Sequence, residues 1–164
     1  MLIPKILWFK KQEPGNYKRT WKILVSSHSC VIYRLCGSVA ADYYTADMTG
    51  LFDYRRNKWS EELLTLTEID TDILPDVFPA HQVVGEISAD SADELGLTPG
   101  TSIVGSCDAN VSALSAGVVD SGDTMISYGS VGAGYICLKE PKIHPKLYFG
   151  HYVKPDHWVS VVAL

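Results

Sequence analysis

TPGTSIVGSCDANVSALSAGVV, residues 98–119, is the stretch that says most about the fold. A turn at residues 98–100 leads into a short apolar run, residues 101–106, which predicts a buried strand. The small residues of 111–119 predict a helix, and a tight turn at residues 107–110 joins it to the strand. Strand, turn and helix in this order are typical of an α/β protein, in which ligand sites lie at the carboxyl ends of the strands.

Asp108 stands in that turn, at the carboxyl end of the predicted strand. The N-terminus of the following helix supplies partial positive charge, which stabilises a carboxylate at this place. Such a carboxylate can accept the proton of a substrate hydroxyl. Asp is also a favoured helix N-cap, so the residue chemistry alone leaves both roles open and makes the plain cap the simpler one.

The segment GSVGAG, residues 129–134, is a second candidate site. It lies between two predicted strands, residues 124–128 and 135–138, and its three glycines would let backbone N–H groups converge on an anion. The spacing matches neither a Walker loop nor the dinucleotide fingerprint. A plain β-hairpin turn is the alternative, and taken alone it is the simpler interpretation.

Composition excludes several classes of protein. The chain has 164 residues, about one domain, with 14 Lys and Arg against 19 Asp and Glu. Its net charge of −5 argues against nucleic acid and anionic membranes as partners, and no apolar run is long enough to span a bilayer. The four cysteines match no disulfide scaffold or zinc pattern, which predicts reduced, buried thiols in a cytoplasmic protein.

No metal site or hydrolase signature is predicted. His144, His151 and His157 lack the paired spacing of metal ligands. No Gly-x-Ser-x-Gly motif occurs. Residues 42–53 are predicted to form a loop that feeds a short strand or turn, with solvated carboxylates at Asp42, Asp47 and Asp53.

Other elements follow from apolar spacing and capping residues. Helices are predicted at residues 3–12, 17–22, 28–35 and 88–96, and another is predicted to be capped by Ser60. In the helix at 88–96, Ser91 and Glu94 have the spacing of a capping box. The apolar run at residues 158–164 predicts a strand that finds no partner in the remaining sequence.

Three blocks, in order, resemble the FGGY family of carbohydrate kinases. They are KILWFKKQ (residues 5–12), DYYTADMTGLFD (residues 42–53) and GTSIVGSCD (residues 100–108). Asp47 stands where the family usually has serine, and Ser102 where it usually has proline. Shorter matches stand at residues 59–64, 74–75, 84–85 and 92–96. Single blocks are weak signals, but together the ordered set covers nearly the whole chain. The chain therefore resembles an internal fragment of a kinase of the xylulose and glycerol kinase type.

The resemblance implies an α/β, ribonuclease-H-like fold of the actin-like ATPase class, present in part. Residues 1–119 would form the C-terminal part of the kinase's N-terminal domain, and residues 120–164 the beginning of its C-terminal domain. It further implies ATP-dependent phosphorylation of a sugar or polyol hydroxyl, with Asp108 as general base. Most of the sites for ATP and Mg²⁺ would lie outside these 164 residues, so the chain alone is expected to be inactive.

The resemblance also implies which residues meet the ligands. Asp108 and Asn110 would contact the sugar, and Gly129 and Ser130 would contact the phosphates of ATP. Val131 departs from the family, which has a hydroxyl residue there. The alternative is a non-catalytic α/β binding or interaction module that retains the kinase fold. A fragment of a kinase would leave apolar edges uncovered, which predicts self-association into a homo-oligomer.

Overall fold

The computed structural model describes residues 2–129 and 131–163. Short helices and strands alternate through the first part of the chain, and a sheet forms the last part. The helices are α1 (Ile3–Gln12), α2 (Pro14–Lys18), α3 (Ser27–Cys36), α4 (Tyr43–Thr49), α5 (Glu61–Thr67), α6 (Ala89–Leu95) and α7 (Asp108–Ser115).

The strands fall into three small pairs and one larger sheet. The pairs are β1 (Ala40–Asp42) with β4 (Asp76–Phe78), β2 (Phe52–Asp53) with β3 (Lys58–Trp59), and β5 (Gly85–Glu86) with β6 (Ser102–Ile103). Only the first pair is parallel. The sheet contains β7 (Thr124–Tyr128), β8 (Gly132–Leu138), β9 (Tyr148–His151) and β10 (Trp158–Ala163).

The prediction that the last apolar run has no partner is wrong. β10 lies inside the four-stranded sheet, whose order is β7-β8-β10-β9, and is antiparallel to both neighbours. Val159, for example, pairs with Cys137 on one side and with Gly150 on the other. The connection after β8 returns the chain as β9, so both edges of β10 are paired.

Several helices begin and end where capping predicts. Ser26 accepts a hydrogen bond from the backbone N–H of Ser29 at 3.2 Å, and Gly37 ends α3 with a φ of 75°. Ser60 caps α5 through the N–H of Leu63. The cap of α6 is Ser88 and not Ser91, since Ser91 supplies the N–H that Ser88 accepts.

Other boundaries differ from prediction. α2 covers residues 14–18 and not 17–22, because Pro14 starts it. Residues 43–49 form α4 and not a loop, because the helix buries side chains in two separate apolar clusters, with Ala46 in one and Tyr44 in the other. The predicted strand at 101–106 is ordered as a strand only at 102–103, and α7 begins at Asp108 itself.

A shared apolar core joins α7 and α4 to the sheet. Ala113 and Cys137 are inaccessible to solvent, and Tyr44 is 6% exposed. The buried members of this cluster are Tyr44, Ala113, Val118, Cys137, Tyr152, Val159 and Val161. The predicted domain boundary at residues 119–120 follows Val118 directly and stays a prediction.

All four cysteines are free thiols. Cys137 is buried as predicted, but Cys30 is exposed on the outer side of α3. Among residues 2–129 and 131–163, the structure contains no helix with both the length and the apolar character that crossing a membrane requires.

Candidate functional site

Asp108 is the first residue of α7, and its side chain is exposed. The N-cap position belongs to Cys107, so Asp108 is not the plain cap that residue chemistry favoured. Its Oδ1 accepts hydrogen bonds from the backbone N–H of Ala109 at 2.8 Å and from the Cys107 thiol at 3.2 Å. Burial, reinforced by the neighbouring Asp108, raises the pKa of Cys107 to about 11, so the thiol keeps the proton that it donates.

The loop before Asp108 is fastened to a buried carboxylate. Ser106 Oγ donates to Asp42 Oδ2 at 2.8 Å. The other oxygen, Asp42 Oδ1, lies 3.1 Å from His28 Nε2, and the Asp42 side chain is 2% exposed. His28 Nδ1 in turn lies 2.9 Å from the Ser26 hydroxyl that caps α3. Asp42 was predicted to be solvated, and that prediction is wrong.

A second buried carboxylate binds the sheet. Asp47 Oδ2 lies 2.8 Å from both the backbone nitrogen and the ring Nδ1 of His151 in β9. The His151 ring also packs on Trp158, with ring centres 4.2 Å apart. The Asp47 side chain is 6% exposed, so its predicted solvation is wrong too. Asp53 is half-buried, and its Oδ1 accepts from the N–H of Arg55 in the turn before β3.

Asn110 is inaccessible to solvent in the first turn of α7. Its Nδ2 donates to the backbone oxygen of His151 at 3.1 Å. In this structure Asn110 therefore joins α7 to β9, and its predicted contact with a sugar stays a prediction.

The glycine-rich segment lies at the β7–β8 hairpin, where Tyr128 pairs with Gly132 and residues 132–134 belong to β8. A Cβ atom at Gly129 would meet only the backbone oxygen of Val131, at 3.9 Å, so no close approach requires glycine there. Tyr128 and Val131 are largely exposed beside it. Ser130, the other predicted phosphate ligand, lies outside the described residues.

A cleft of about 840 Å³ opens beside the two buried carboxylates. Asp42 and His151 line it, whereas Asp108, Asn110 and Gly129 are not among its described lining residues. Its walls also carry aromatic and cationic side chains: Tyr43, Tyr54, Arg55, Lys139, Lys154 and Trp158. Within the described part of the chain, no three His, Cys, Asp or Glu side chains converge as metal ligands.

Sequence reasoning missed the two Asp–His pairs for a simple reason. The partners are far apart along the chain, 14 residues for His28 and Asp42 and 104 residues for Asp47 and His151. The available signal was the apolar setting of Asp47, which stands between Ala46 and Met48 in the block at residues 42–53.

Residues 2–115 match the family model described as "FGGY family of carbohydrate kinases, N-terminal domain". The chain belongs to the FGGY family of carbohydrate kinases. The resemblance carried by the three sequence blocks is thereby confirmed.

Curated relatives point to the same family. The chain is 30% identical to a xylulose kinase of Bacillus subtilis (strain 168) over 162 residues, which cover 97% of this chain and 32% of the relative. It is also 30% identical to an autoinducer-2 kinase of Yersinia pestis (strain Pestoides F), over 88% of this chain and 27% of the relative. The chain thus spans about a third of the length of the curated relatives it matches.

The fold is that of solved FGGY kinases. The crystal structure of a xylulose kinase from Rhodospirillum rubrum superposes with a TM-score of 0.93 at 24% identity, covering 99% of this chain and 33% of that one. The predicted α/β fold of the actin-like ATPase class is confirmed.

Proposed function

We propose that this FGGY chain supplies the general base, Asp108, of an ATP-dependent sugar or polyol kinase. One observation carries the proposal: Asp108 is an exposed carboxylate that is held at a helix N-terminus by one oxygen only. Among the described residues, Oδ2 has no hydrogen-bond partner, so it can take the proton of a bound hydroxyl. The Cys107 thiol and the Ala109 N–H stabilise the carboxylate on its Oδ1 side.

ATP would supply the phosphoryl group, and the hydroxyl oxygen of the sugar would attack it as Asp108 accepts the proton. Phosphoryl transfer depends mainly on positioning and electrostatics, so a single base held in place contributes substantially to the rate. The described residues do not form a Mg²⁺ site of their own. We therefore assign no metal ligand to this chain and expect the isolated chain to be inactive.

Gly129 and Ser130 remain the proposed phosphate contacts, supported by the family resemblance of the β7–β8 turn. The substrate class, a sugar or polyol, is supported by the names of the relatives, a xylulose kinase and an autoinducer-2 kinase. The four free thiols suit a reducing compartment, and we infer a cytoplasmic location.

A chimera tests the base. Residues 2–163 replace the matching segment of the Bacillus subtilis xylulose kinase, and phosphorylation of a panel of pentuloses and polyols is measured. Asp108→Asn should lower kcat at least ~100-fold, because the variant cannot accept the proton. Asp93→Asn, an exposed change in α6, is the matched control and should leave kcat unchanged.

Near-parental turnover of the Asp108→Asn chimera would refute the general-base assignment. A folded parental chimera that phosphorylates nothing would favour the alternative, a non-catalytic module. Circular dichroism of each chimera separates that outcome from misfolding.

A further inference from the structure

Two side chains flank Asp108 at equal distances along the chain, and both are anchored. Ser106, two residues before it, donates to Asp42 at 2.8 Å. Asn110, two residues after it, donates to the backbone oxygen of His151 at 3.1 Å. The same His151 lies 2.8 Å from Asp47 through both its backbone and ring nitrogens.

Both anchors lead back to one helix. Asp42 immediately precedes α4, and Asp47 is the fifth residue of α4. A closed circuit of contacts therefore runs from α4 through Asp42 and Ser106 to Asp108, and returns through Asn110, His151 and Asp47.

We propose that Asp42 and Asp47 are positioning residues that fix the place of Asp108 from both sides. The inference rests on the proposed function only in naming Asp108 as the base. It assigns a role to the carboxylate of Asp47, the fifth residue of α4.

Burial makes these contacts rigid. The two carboxylates are 2% and 6% exposed, and the Asn110 side chain is inaccessible to solvent. Water cannot replace a lost partner at such depth, so each donor is confined to one acceptor. A surface pair would exchange with solvent and leave the turn free to move.

The close approach of β9 to α4 is specific. A Cβ atom at Gly150 would lie 2.8 Å from Tyr44 Cδ2 and 3.0 Å from Asp47 Oδ2. Only glycine lets the backbone of β9 come near enough for Asp47 to reach the N–H of His151. Asp47 contacts both nitrogens of His151 through Oδ2 alone. A serine side chain is shorter and uncharged, so its oxygen would not reach both nitrogens from the same position on α4.

Two readouts in the 164-residue chain test the proposal without sugar or ATP. The first is the ¹³C signal of the Asp108 carboxyl group, which reports its surroundings directly. The second is amide hydrogen exchange at Val111, whose N–H donates to the backbone oxygen of Cys107 at 3.1 Å and closes the turn around Asp108.

Ser106→Ala removes one anchor, and Asp47→Ser weakens the other. Each should shift the Asp108 carboxyl signal and speed exchange at Val111 by ~10-fold, with exchange in β8 and β10 unchanged. Ser106→Thr keeps the hydroxyl and should restore the parental signal and rate. Ser112→Ala removes an exposed hydroxyl from the same helix and is the matched control.

Unchanged readouts in both variants would overturn the proposal. Faster exchange throughout β8 and β10 would overturn it too, because the effect would then be on global stability and not on position. In the chimera, Ser106→Ala should lower kcat by ~10-fold and leave KM within ~2-fold, as misplacement of a base predicts. Normal turnover of Asp108→Asn would instead refute the proposed function and leave the two structural readouts standing.

Discussion

Asp42 and Asp47 are five residues apart and both buried, yet their pKa values move in opposite directions. Burial opposes ionisation of Asp42, but the contacts from His28, Thr45 and Ser106 outweigh it and hold the pKa below its ordinary value. Burial raises the pKa of Asp47, and the contacts from His151 oppose that shift without cancelling it. The negative charge of Asp42 raises the pKa of Asp47 further. Partners, and not depth alone, therefore decide which carboxylate ionises readily.

Asp42→Asn should lose stability in a pH-dependent way. A carboxyl whose folded pKa lies below its ordinary value of 3.8 stabilises the fold above that pH, and the contribution disappears as the pH falls through the folded pKa. The parent should therefore be more stable than the variant near neutral pH, and the difference should shrink below about pH 4. Urea unfolding from neutral to acid pH measures it, with Asp93→Asn as control. A difference that stays constant into strong acid would contradict the expectation.

Gly150→Ala should destabilise the chain by about 1–3 kcal/mol. The added methyl group would overlap the Tyr44 ring at 2.8 Å, and neither α4 nor β9 can retreat without breaking the contact between Asp47 and His151. Chemical unfolding gives the difference. Gly15→Ala is the control, because a Cβ there meets nothing within 4 Å. If the two substitutions proved equally harmless, α4 and β9 would not be packed as tightly as the structure has them.

Among the helices and strands, local sequence patterns predicted those helices whose ends are marked by capping residues. They did not predict the elements whose positions depend on tertiary packing. Ser26, Ser60 and Gly37 mark their helices by chemistry that acts within one turn. α4 has no side-chain cap at its start, although Gly50 ends it, and β10 is an apolar run that could pair anywhere. Their places depend on contacts with strands distant in sequence.

Val159→Ala tests whether β10 is internal. The Val159 side chain is inaccessible to solvent between β8 and β9, so the change should cost about 2 kcal/mol from lost burial and the cavity left behind. Val31→Ala, at a side chain 56% exposed on α3, is the control and should change stability little. The measurement is the urea midpoint of each variant. A negligible cost at Val159 would mean that β10 is not held from both sides.

At the scale of the whole molecule, the sheet has one covered face and one open face. The inner face packs on α7, whereas the outer face forms a shallow, mainly apolar groove of about 280 Å³. Ile126, one of the residues that line it, is 55% exposed. Because β10 is paired on both sides, we expect self-association to occur through this outer face and not through β10.

Ile126→Lys should weaken self-association of the 164-residue chain. A charge placed in the groove would have to be buried when two outer faces meet, which is unfavourable. Sedimentation velocity over a range of concentrations should show a rising average sedimentation coefficient for the parent and a smaller rise for the variant. Leu66→Lys, at a more exposed apolar position on α5, is the control and should behave like the parent. A parent that sediments as a monomer at every concentration would contradict this prediction.

The sequence by itself determined the family, the α/β class and Asp108 as the candidate base. These depend on short blocks whose residues act locally, such as the glycine and aspartate of GSCD at residues 105–108. The cap of α3 and the β7–β8 hairpin were equally readable, since their partners lie within a few residues.

Only the tertiary structure decided what surrounds Asp108. Asp47 and His151 meet across 104 residues, and Ser106 and Asp42 across 64. No local pattern specifies such pairs. An aspartate looks the same in the sequence whether its carboxylate faces water or a buried histidine. The pairs form because folding buries α4 against the sheet. An unpaired carboxylate would be unfavourable there, whereas a paired one holds its partner in a fixed position.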